Sequence, residues 1–343
     1  MLADPSGGDC VMLATMEPTP NRPRPGFDAL RLSCVIPAFN EALNLPQVVP
    51  AVLQVLRSLA AQVELIVVND GSRDDTAAVA AHLCHQHPEI VLLDLSRNFG
   101  KEAAMTAGLE AAQGDAVVLM DADGQHPVEL LAQMVSHWQN GLDVVYAVRR
   151  HRHDQSKLHG WLTGWFYKLI NWGNRVQIPP HAGDFRLMDR RVVQALNALP
   201  ERSRFMKGLY AWVGYPSLAI DYEPLQRLEG TSSFGFRGAF SLALTGMLAF
   251  STVPLRLLTL AGLLVAASAL AYGAWSIVEY FVWGISVPGY ATIVVSIMFF
   301  SGVQLLSLGV LAEYVARIYE EVKRRPSYLL KERIGRGLSS DPS

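Results

Sequence analysis

Two long uncharged stretches near the C-terminus restrict the fold of this chain more than any other feature. No Asp, Glu, Lys or Arg occurs between Arg256 and Glu279, or between Glu279 and Glu313. Each stretch is long enough for a helix that crosses a hydrocarbon core of about 30 Å. A buried helical hairpin is the alternative, but two adjacent runs of this length favour membrane insertion. We therefore predict a two-helix transmembrane hairpin over residues 256–316.

The charges around this hairpin predict its orientation. Basic residues flank it on both sides, whereas the connection 283–288 is uncharged. The flanking basic residues are Arg237, Arg256, Arg317, Lys323, Arg324 and Arg325. The positive-inside rule places both flanks in the cytoplasm. We expect a cytoplasmic basic tail over residues 317–343, and an interfacial helix over residues 236–255 that lies along the membrane surface.

Composition excludes some classes of protein. The formal net charge of -2 gives no reason to expect a nucleic-acid partner. The three cysteines, Cys10, Cys34 and Cys84, form no Cys-x-x-Cys motif, which is typical of a reducing compartment. Residues 1–29 are rich in proline and lack the pattern of a signal peptide, so we predict a disordered extension there.

Residues 30–235 alternate short apolar runs with helical periodicity. This alternation predicts an α/β fold with a mostly parallel sheet covered on both faces. The predicted strands are LSCVIP, VELIVVND, IVLLDLS, AVVLMDAD and LDVVYAV. Polar clusters follow the first four strands: PAFNE, NDGSRDD, SRNFGKE and DADGQ. Ligands of such sheets bind beyond the carboxyl ends of the strands, so these clusters are expected to face one crevice.

One of these clusters has the composition of a metal site. Asp121 and Asp123 flank a single residue at a strand end, and Gln125 follows. Two carboxylates and an amide are oxygen donors that suit a hard divalent cation. A solvated loop is the alternative, because Asp-x-Asp is common. The motif alone does not decide between the two.

Six segments taken together resemble a known family. They are VIPAFNE, VVNDGSRDDT, LSRNFGKEAAMTAGL, DADGQHP, GDFRLMDRR and RIYEEVKRRPSY. The set, which spans about Leu32–Lys331, resembles the family 2, GT-A-fold glycosyltransferases that load a sugar onto a polyprenyl phosphate. Bacterial undecaprenyl-phosphate sugar transferases and dolichyl-phosphate mannose synthases are examples. The resemblance implies a nucleotide-sugar donor, Mg²⁺ or Mn²⁺, inversion at the anomeric carbon, and a tetramer in the bacterial inner membrane.

The resemblance also implies roles for residues of the donor site. Asp123 and Gln125 are the expected metal ligands, and Asp121 and Asp184 the other catalytic acids. The expected nucleotide-sugar contacts are Pro37, Asn40, Glu41, Asp70, Arg97, Lys101 and Asp121. Helix capping is the alternative for Asn40 and Asp70. A surface loop with a salt bridge is the alternative for Arg97 and Lys101, which precede a helix whose N-terminal amides favour anions.

No residue pair in the sequence resembles a separate general base. A phosphate monoester, whose second pKa is about 6, is already largely dianionic near neutral pH. The lipid phosphate therefore needs cations and alignment rather than deprotonation. The expected lipid-phosphate contacts are Arg149, Arg150, Lys157, Arg186, Arg227 and Ser232. A basic surface that attracts anionic lipid is the alternative for the basic residues, and an ion pair with Asp184 is the alternative for Arg186.

One position departs from the family pattern. After Arg227 the family has Gly-x-Ser-Lys, whereas Gly230 is followed here by Thr-Ser-Ser, with Ser233 at the lysine position. Two rival functions remain, a processive polysaccharide synthase and a non-catalytic scaffold that binds nucleotide sugar. The sequence does not name the sugar; a UDP-linked hexose is preferred and GDP-mannose is the alternative.

Overall fold

The computed structural model describes residues 24–149, 182–202, 204–225, 253–283 and 289–338. A short 3-10 turn, Phe27–Ala29, precedes the first strand. The strands are β1 Arg31–Ala38, β2 Gln62–Asn69, β3 Ile90–Leu95, β4 Ala116–Leu119, β5 Val144–Arg149, β6 Ala182–Asp189, β7 Ser217–Tyr222 and β8 Leu330–Ile334. The helices are α1 Leu45–Leu59, α2 Thr76–Gln86, α3 Lys101–Ala111, α4 Leu130–Gln139, α5 Arg190–Ala198, α6 Met206–Trp212, α7 Val253–Trp283 and α8 Tyr290–Lys323.

The eight strands form one sheet in the order β7-β5-β6-β4-β1-β2-β3-β8. β1 pairs in parallel with β2 and β4, β2 with β3, and β5 with β7, whereas β6 and β8 run antiparallel to their neighbours. This confirms the predicted α/β fold with a mostly parallel sheet. Because β6 is antiparallel, its first residues lie at the edge where β1, β2 and β4 end.

Helices cover both faces of the sheet. α1, α2 and α4 contribute to the core on one face, and α3, α5 and α6 to the core on the other. All residues of β1 and β2 except the first of each are buried. Strands buried on both faces read as continuous apolar runs, which is why the sequence revealed them.

The antiparallel strands were not predicted, and their sequences explain why. β6 contains Asp184 and Arg186 within its span, which interrupts the apolar pattern. β8 has the sequence LKERI and lies at the sheet edge, with four of its five residues exposed. The predicted basic tail 317–343 is therefore different in the structure. Its first residues continue α8, and residues 330–334 belong to the sheet.

The apolar hairpin is formed by α7 and α8. Leu258–Trp275 and Val295–Lys323, with mean hydropathies of 1.6 and 1.9, are long and apolar enough to cross a membrane. Neither window is buried inside the protein, which contradicts the alternative of a buried hairpin. Of the predicted interfacial helix, residues 236–252 lie outside the described residues, and residues 253–255 belong to α7.

The predicted N-terminal extension ends earlier than expected, because Arg24 is packed against the domain. Its guanidinium lies 2.8 Å from Asp143 Oδ1 and 2.8 Å from Asp189 Oδ2, and 4.6 Å over the ring of Trp138. The Arg24 side chain is only 5% exposed and that of Asp143 only 1%. Arg191 also pairs with Asp143, at 2.8 Å. The cluster closes the sheet at the edge opposite the crevice.

We expect Arg24→Met to lower the free energy of unfolding by about 3 kcal/mol, because it leaves buried carboxylates with one cation fewer. The matched control is Arg31→Met, which removes an Arg whose pairing with Asp115 is exposed, at 3.3 Å. The control should cost less than about 1 kcal/mol. Chemical unfolding of the full chain in detergent measures both. Equal losses would contradict a buried role for Arg24.

Candidate active site

A cleft of about 390 Å³ opens at the carboxyl edge of the sheet. It lies where β1, β2 and β4 end and where α3 begins. Its lining residues are Pro37, Ala38, Phe39, Glu41, Asp70, Asn98, Gly100, Lys101, Ala104, Asp121, Ala122 and Asp123. All four polar clusters expected to converge meet here, because the loop before α3 is the cluster that follows β3. The parallel strands bring them together, as the sequence pattern predicted.

Asp70 holds the loop before α3. Its carboxylate accepts hydrogen bonds from the amides of Phe99, at 2.7 Å, and Gly100, at 2.9 Å. Burial raises the pKa of Asp70, and the two amide donors partly offset this effect. Gly71 follows with φ +60°, and a Cβ there would lie 2.2 Å from the carbonyl carbon of Arg97. Only glycine allows the two loops to approach so closely.

The other predicted nucleoside contacts differ in position. Pro37 and Glu41 line the cleft, whereas Asn40 and Arg97 do not. Asn40, at φ 57°, accepts a hydrogen bond from the Arg73 amide at 2.9 Å and so links the loops after β1 and β2. Arg97 is exposed and lies 4.0 Å over the ring of Phe99. The structure thus gives Asn40 a loop-bridging role and leaves Arg97 at the rim.

Lys101 joins two of the predicted catalytic acids, Asp121 and Asp184. Its Nζ lies 2.6 Å from Asp121 Oδ1 and 2.7 Å from Asp184 Oδ2. Burial alone would lower the pKa of Lys101, but the two carboxylates outweigh it and raise the pKa. Burial opposes ionisation of both acids, but Lys101 lowers the pKa of Asp121 and of Asp184. All three groups therefore carry charge. Asp184 pairs with Lys101, and among the described residues it forms no ion pair with Arg186 within 4.0 Å.

Asp123 and Gln125 belong to a chain of hydrogen bonds. The backbone amide of Gln125 donates to Asp123 Oδ1 at 3.1 Å. Arg149 Nη2 donates to Gln125 Oε1 at 3.0 Å, and Arg149 Nε donates to Tyr222 Oη at 3.1 Å. Tyr222 Oη lies 3.2 Å from Nδ1 of His126. The predicted metal ligand Gln125 and the predicted acceptor residue Arg149 are thus in direct contact.

Asp121 and Asp123 line the cleft and are carboxylates of the kind that suit a divalent cation shared with a diphosphate, whereas the side-chain oxygen of Gln125 accepts from Arg149. In the described part of the chain, no group of three or more His, Cys, Asp or Glu could hold a metal. Mg²⁺ is commonly held by one or two carboxylates plus substrate phosphates, and it retains water. Asp123, 8% exposed, borders the cleft that would receive those phosphates.

Arg186 is not available as a phosphate contact, which corrects that prediction. It is 3% exposed, lies 3.4 Å over the ring of Tyr210, and donates to the Gly183 carbonyl at 2.7 Å. Tyr210 would have to move before a ligand could reach it. The remaining predicted acceptor residues, Arg150, Lys157, Arg227 and Ser232, lie outside the described residues, as does Ser233.

Sequence reasoning missed several residues around the site. Tyr222 anchors Arg149, Tyr210 covers Arg186, and Glu102 accepts a hydrogen bond from the Met206 amide at 3.1 Å. The positions of these residues depend on which strands are neighbours in the sheet. Tyr222 ends β7, and β7 runs parallel to β5, whose last residue is Arg149. The sequence alone does not show that β5 and β7 are neighbouring strands.

Comparisons with known proteins match both parts of the chain. Residues 33–196 match the model of Glycosyl transferase family 2, and residues 253–318 match the GtrB C-terminal hairpin. An uncharacterized glycosyltransferase, sll0501, of Synechocystis is 44% identical over 88% of this chain and 95% of its own length. The chain belongs to glycosyl transferase family 2.

Two further relatives have more specific names. The bactoprenol glucosyl transferase of Shigella phage SfII is 43% identical over 88% of this chain and 98% of its own length. A prophage bactoprenol glucosyl transferase homolog of Escherichia coli K12 is 40% identical over 88% of this chain and 99% of its own length. The glycosyltransferase therefore shares its whole two-part architecture with these relatives.

Glu102 gives the site of this glycosyltransferase a pH-dependent stability. Burial, together with the nearby Asp184, raises its pKa from 4.5 to about 7. A carboxyl group with a raised pKa stabilises the fold fully below its unfolded pKa, and that contribution is lost as pH rises through the folded pKa. The relevant window therefore runs from about pH 4.5 to about pH 7.

We expect Glu102→Gln to remove this dependence, because glutamine keeps the oxygen that accepts from Met206 and does not ionise. The unfolding free energy of the wild type, relative to Glu102→Gln, should fall by about 3 kcal/mol between pH 4.5 and pH 8. Chemical unfolding at a series of pH values measures the difference. Parallel stability curves for the two proteins would show that Glu102 does not titrate in this window.

Proposed function

We propose that this glycosyltransferase transfers a hexose from a nucleotide sugar to a polyprenyl phosphate and inverts the anomeric carbon. The observation that carries the proposal is that Lys101 and Asp121, with Asp184 bound to the same ammonium, line a cleft of a chain that also has two apolar spans. The names of the Shigella phage and Escherichia coli relatives support a polyprenol acceptor. We prefer a UDP-linked donor.

The donor would lie in the cleft with its diphosphate towards Asp123 and the N-terminus of α3. A Mg²⁺ or Mn²⁺ ion held by Asp123, Gln125 and the diphosphate would stabilise the charge of the departing nucleotide. Lys101, at the first position of α3, adds a cation beside the amides of that terminus. Asp121 and Asp184 hold that ammonium in place, so its charge is already oriented before the donor binds.

The reaction requires alignment rather than a protein base. An oxygen of the lipid phosphate attacks the anomeric carbon, the new carbon–oxygen bond forms, and the bond to the nucleotide diphosphate breaks. The acceptor is largely dianionic near neutral pH, so no proton has to be removed. The protein must bring two anions together, and cations between them offset the repulsion.

Arg149 is the described residue best placed to bind the acceptor phosphate. It ends β5 at the carboxyl edge of the sheet, and Tyr222 and Gln125 fix two of its nitrogens. A guanidinium held in this way presents its remaining N–H donors in one orientation, and such forks suit phosphate oxygens. Because Arg149 contacts Gln125, an acceptor phosphate bound to Arg149 would lie next to the proposed cation.

The membrane hairpin would bring this cleft to its lipid substrate. Basic residues flank α7 and α8, and the connection between them is uncharged. We therefore propose a multi-pass protein of the bacterial inner membrane whose catalytic domain faces the cytoplasm. We also propose that the chain assembles as a homo-oligomer, with a tetramer as the first state to test.

The direct test is an assay of the purified full chain with Mg²⁺ or Mn²⁺, a panel of nucleotide sugars and undecaprenyl phosphate. We expect a lipid-linked monosaccharide, identified by mass spectrometry, together with release of nucleoside diphosphate. Products with several sugars in a row would indicate a processive synthase. Nucleotide binding without any product would indicate the non-catalytic alternative.

In this assay Asp123→Asn should lower kcat by about 100-fold or more, because it removes a charged ligand of the proposed cation. The control is Asp115→Asn, which changes a carboxylate beside the start of β4, at the opposite edge of the sheet. The control should retain wild-type turnover. Undiminished activity of Asp123→Asn would overturn the metal role.

We expect Arg149→Met to raise the KM for undecaprenyl phosphate about tenfold, because a charged hydrogen bond to the acceptor is lost. Arg149→Lys keeps the charge and should recover part of the loss. Initial rates at saturating donor and varied acceptor measure both variants. An unchanged acceptor KM would show that Arg149 serves only to hold Gln125.

A further inference from the structure

The segment after the membrane hairpin is built into the catalytic sheet. β8 pairs antiparallel with β3, and the Ser96 amide donates to the Leu329 carbonyl at 2.9 Å. Tyr328 donates to Glu110 Oε2 at 2.6 Å, and the Leu338 amide donates to the buried Glu64 at 3.0 Å. At Gly335, with φ +92°, a Cβ would lie 2.2 Å from the Ile90 carbonyl oxygen. The segment therefore has one defined position on the sheet.

Lys331 is the residue of β8 whose side chain contacts Asp94 of β3. Its Nζ donates to Asp94 Oδ2 at 2.8 Å. Its own side chain is 64% exposed, whereas that of Asp94 is 6% exposed. An ion pair with one exposed partner contributes little to stability. The ion pair does, however, fix the orientation of the Asp94 carboxylate, because Asp94 is buried within β3.

The other carboxylate oxygen of Asp94 accepts a hydrogen bond from Asn69, which lies nearer to the cleft. Asn69 Nδ2 donates to Asp94 Oδ1 at 2.7 Å, and Asn69 Oδ1 accepts from the Ser72 amide at 3.2 Å and from the Ser72 hydroxyl at 2.5 Å. Ser72 Oγ also accepts a hydrogen bond from the backbone amide of Asn40 at 2.9 Å. Four side chains, those of Lys331, Asp94, Asn69 and Ser72, thus connect β8 to the loops after β1 and β2.

Those two loops form one wall of the cleft. Asp70 lies between Asn69 and Gly71 and holds the amides before α3, while Glu41 follows Asn40. Gly71 leaves no space between its loop and Arg97. A shift of Ser72 therefore moves Asp70 and the start of α3, where the donor diphosphate is proposed to bind.

We propose that Lys331 is a positioning residue for the nucleotide-sugar side of the cleft, acting through Asp94, Asn69 and Ser72. The inference rests on the proposed function for the identity of the ligand. It deepens that function by making a strand beyond the membrane hairpin part of the donor site. The membrane anchor and donor affinity are thereby connected within one chain.

The test compares Lys331→Met with Arg333→Met in the full chain. Arg333 is a second basic residue of the same strand, and in the described part of the chain no ion pair is found for it. Hydrogen–deuterium exchange should quicken in the peptide that covers residues 69–76 in Lys331→Met and stay at the wild-type rate in Arg333→Met. Unchanged exchange in Lys331→Met overturns the connection, whatever the donor is.

The second readout is donor kinetics. Lys331→Met should raise the KM for the nucleotide sugar about tenfold and change kcat by less than about twofold, because the chemical step is untouched. Lys331→Arg should restore most of the affinity. The double variant Lys331→Met, Asp94→Asn should be no worse than either single variant, since both break one chain of contacts.

The outcomes separate the two proposals. A wild-type protein that forms product, with an unchanged donor KM in Lys331→Met, overturns the positioning role alone. An equal rise in KM for Arg333→Met overturns it too, because a general loss of tail charge would then explain the effect. A wild-type protein that forms no product with any donor overturns the proposed function, while hydrogen exchange still decides whether Lys331 controls the loop.

Discussion

The contact on which the site depends most is the bridge made by Lys101. One ammonium group holds Asp121, from the loop after β4, and Asp184, from the start of β6. Three elements that are distant in sequence therefore meet at one charge. Without that cation, two carboxylates would face each other in a partly buried cleft, where burial opposes the ionised state of each. With it, the acids stay ionised and keep fixed orientations.

The same edge of the sheet carries a second network, on the side of the proposed acceptor. Arg149 connects Gln125 to Tyr222, and Tyr222 contacts His126. His126 is buried and packs against Phe185, with 4.6 Å between the ring centres. The two networks flank Asp121 and Asp123, so a ligand of this glycosyltransferase that engages the acids also meets Lys101 on one side and Arg149 on the other.

The sheet also connects the apolar hairpin of α7 and α8 to the catalytic domain. α8 ends at Lys323, and after six intervening residues β8 joins β3 at the sheet edge. Near the same point the Arg202 amide donates to Glu321 at 3.0 Å, so the end of α8 contacts the catalytic domain directly. A short connection with several contacts restricts how far the domain can turn relative to the hairpin. Such a restriction suits an enzyme whose acceptor lies in a bilayer.

Local patterns in the sequence predicted much of the fold. Continuous apolar runs identified β1 to β5, because strands buried on both faces have that pattern. The helical periodicity between the predicted strands was confirmed, because α1 to α4 follow β1 to β4 in turn. Charged strands such as β8 were not predicted, because their stability comes from pairing and a few side-chain contacts rather than from an apolar face.

The sequence by itself determined the apolar hairpin, the alternation of strands and helices, and the set of polar residues at the strand ends. These properties depend on residues that are close together in the chain. Only the tertiary structure decided that Asp184 pairs with Lys101, that Arg186 lies beneath Tyr210, and that Lys331 reaches Asp94. Each of these contacts joins segments brought together by strand order and direction. Strand order is set by how the whole core packs, and no local pattern records it.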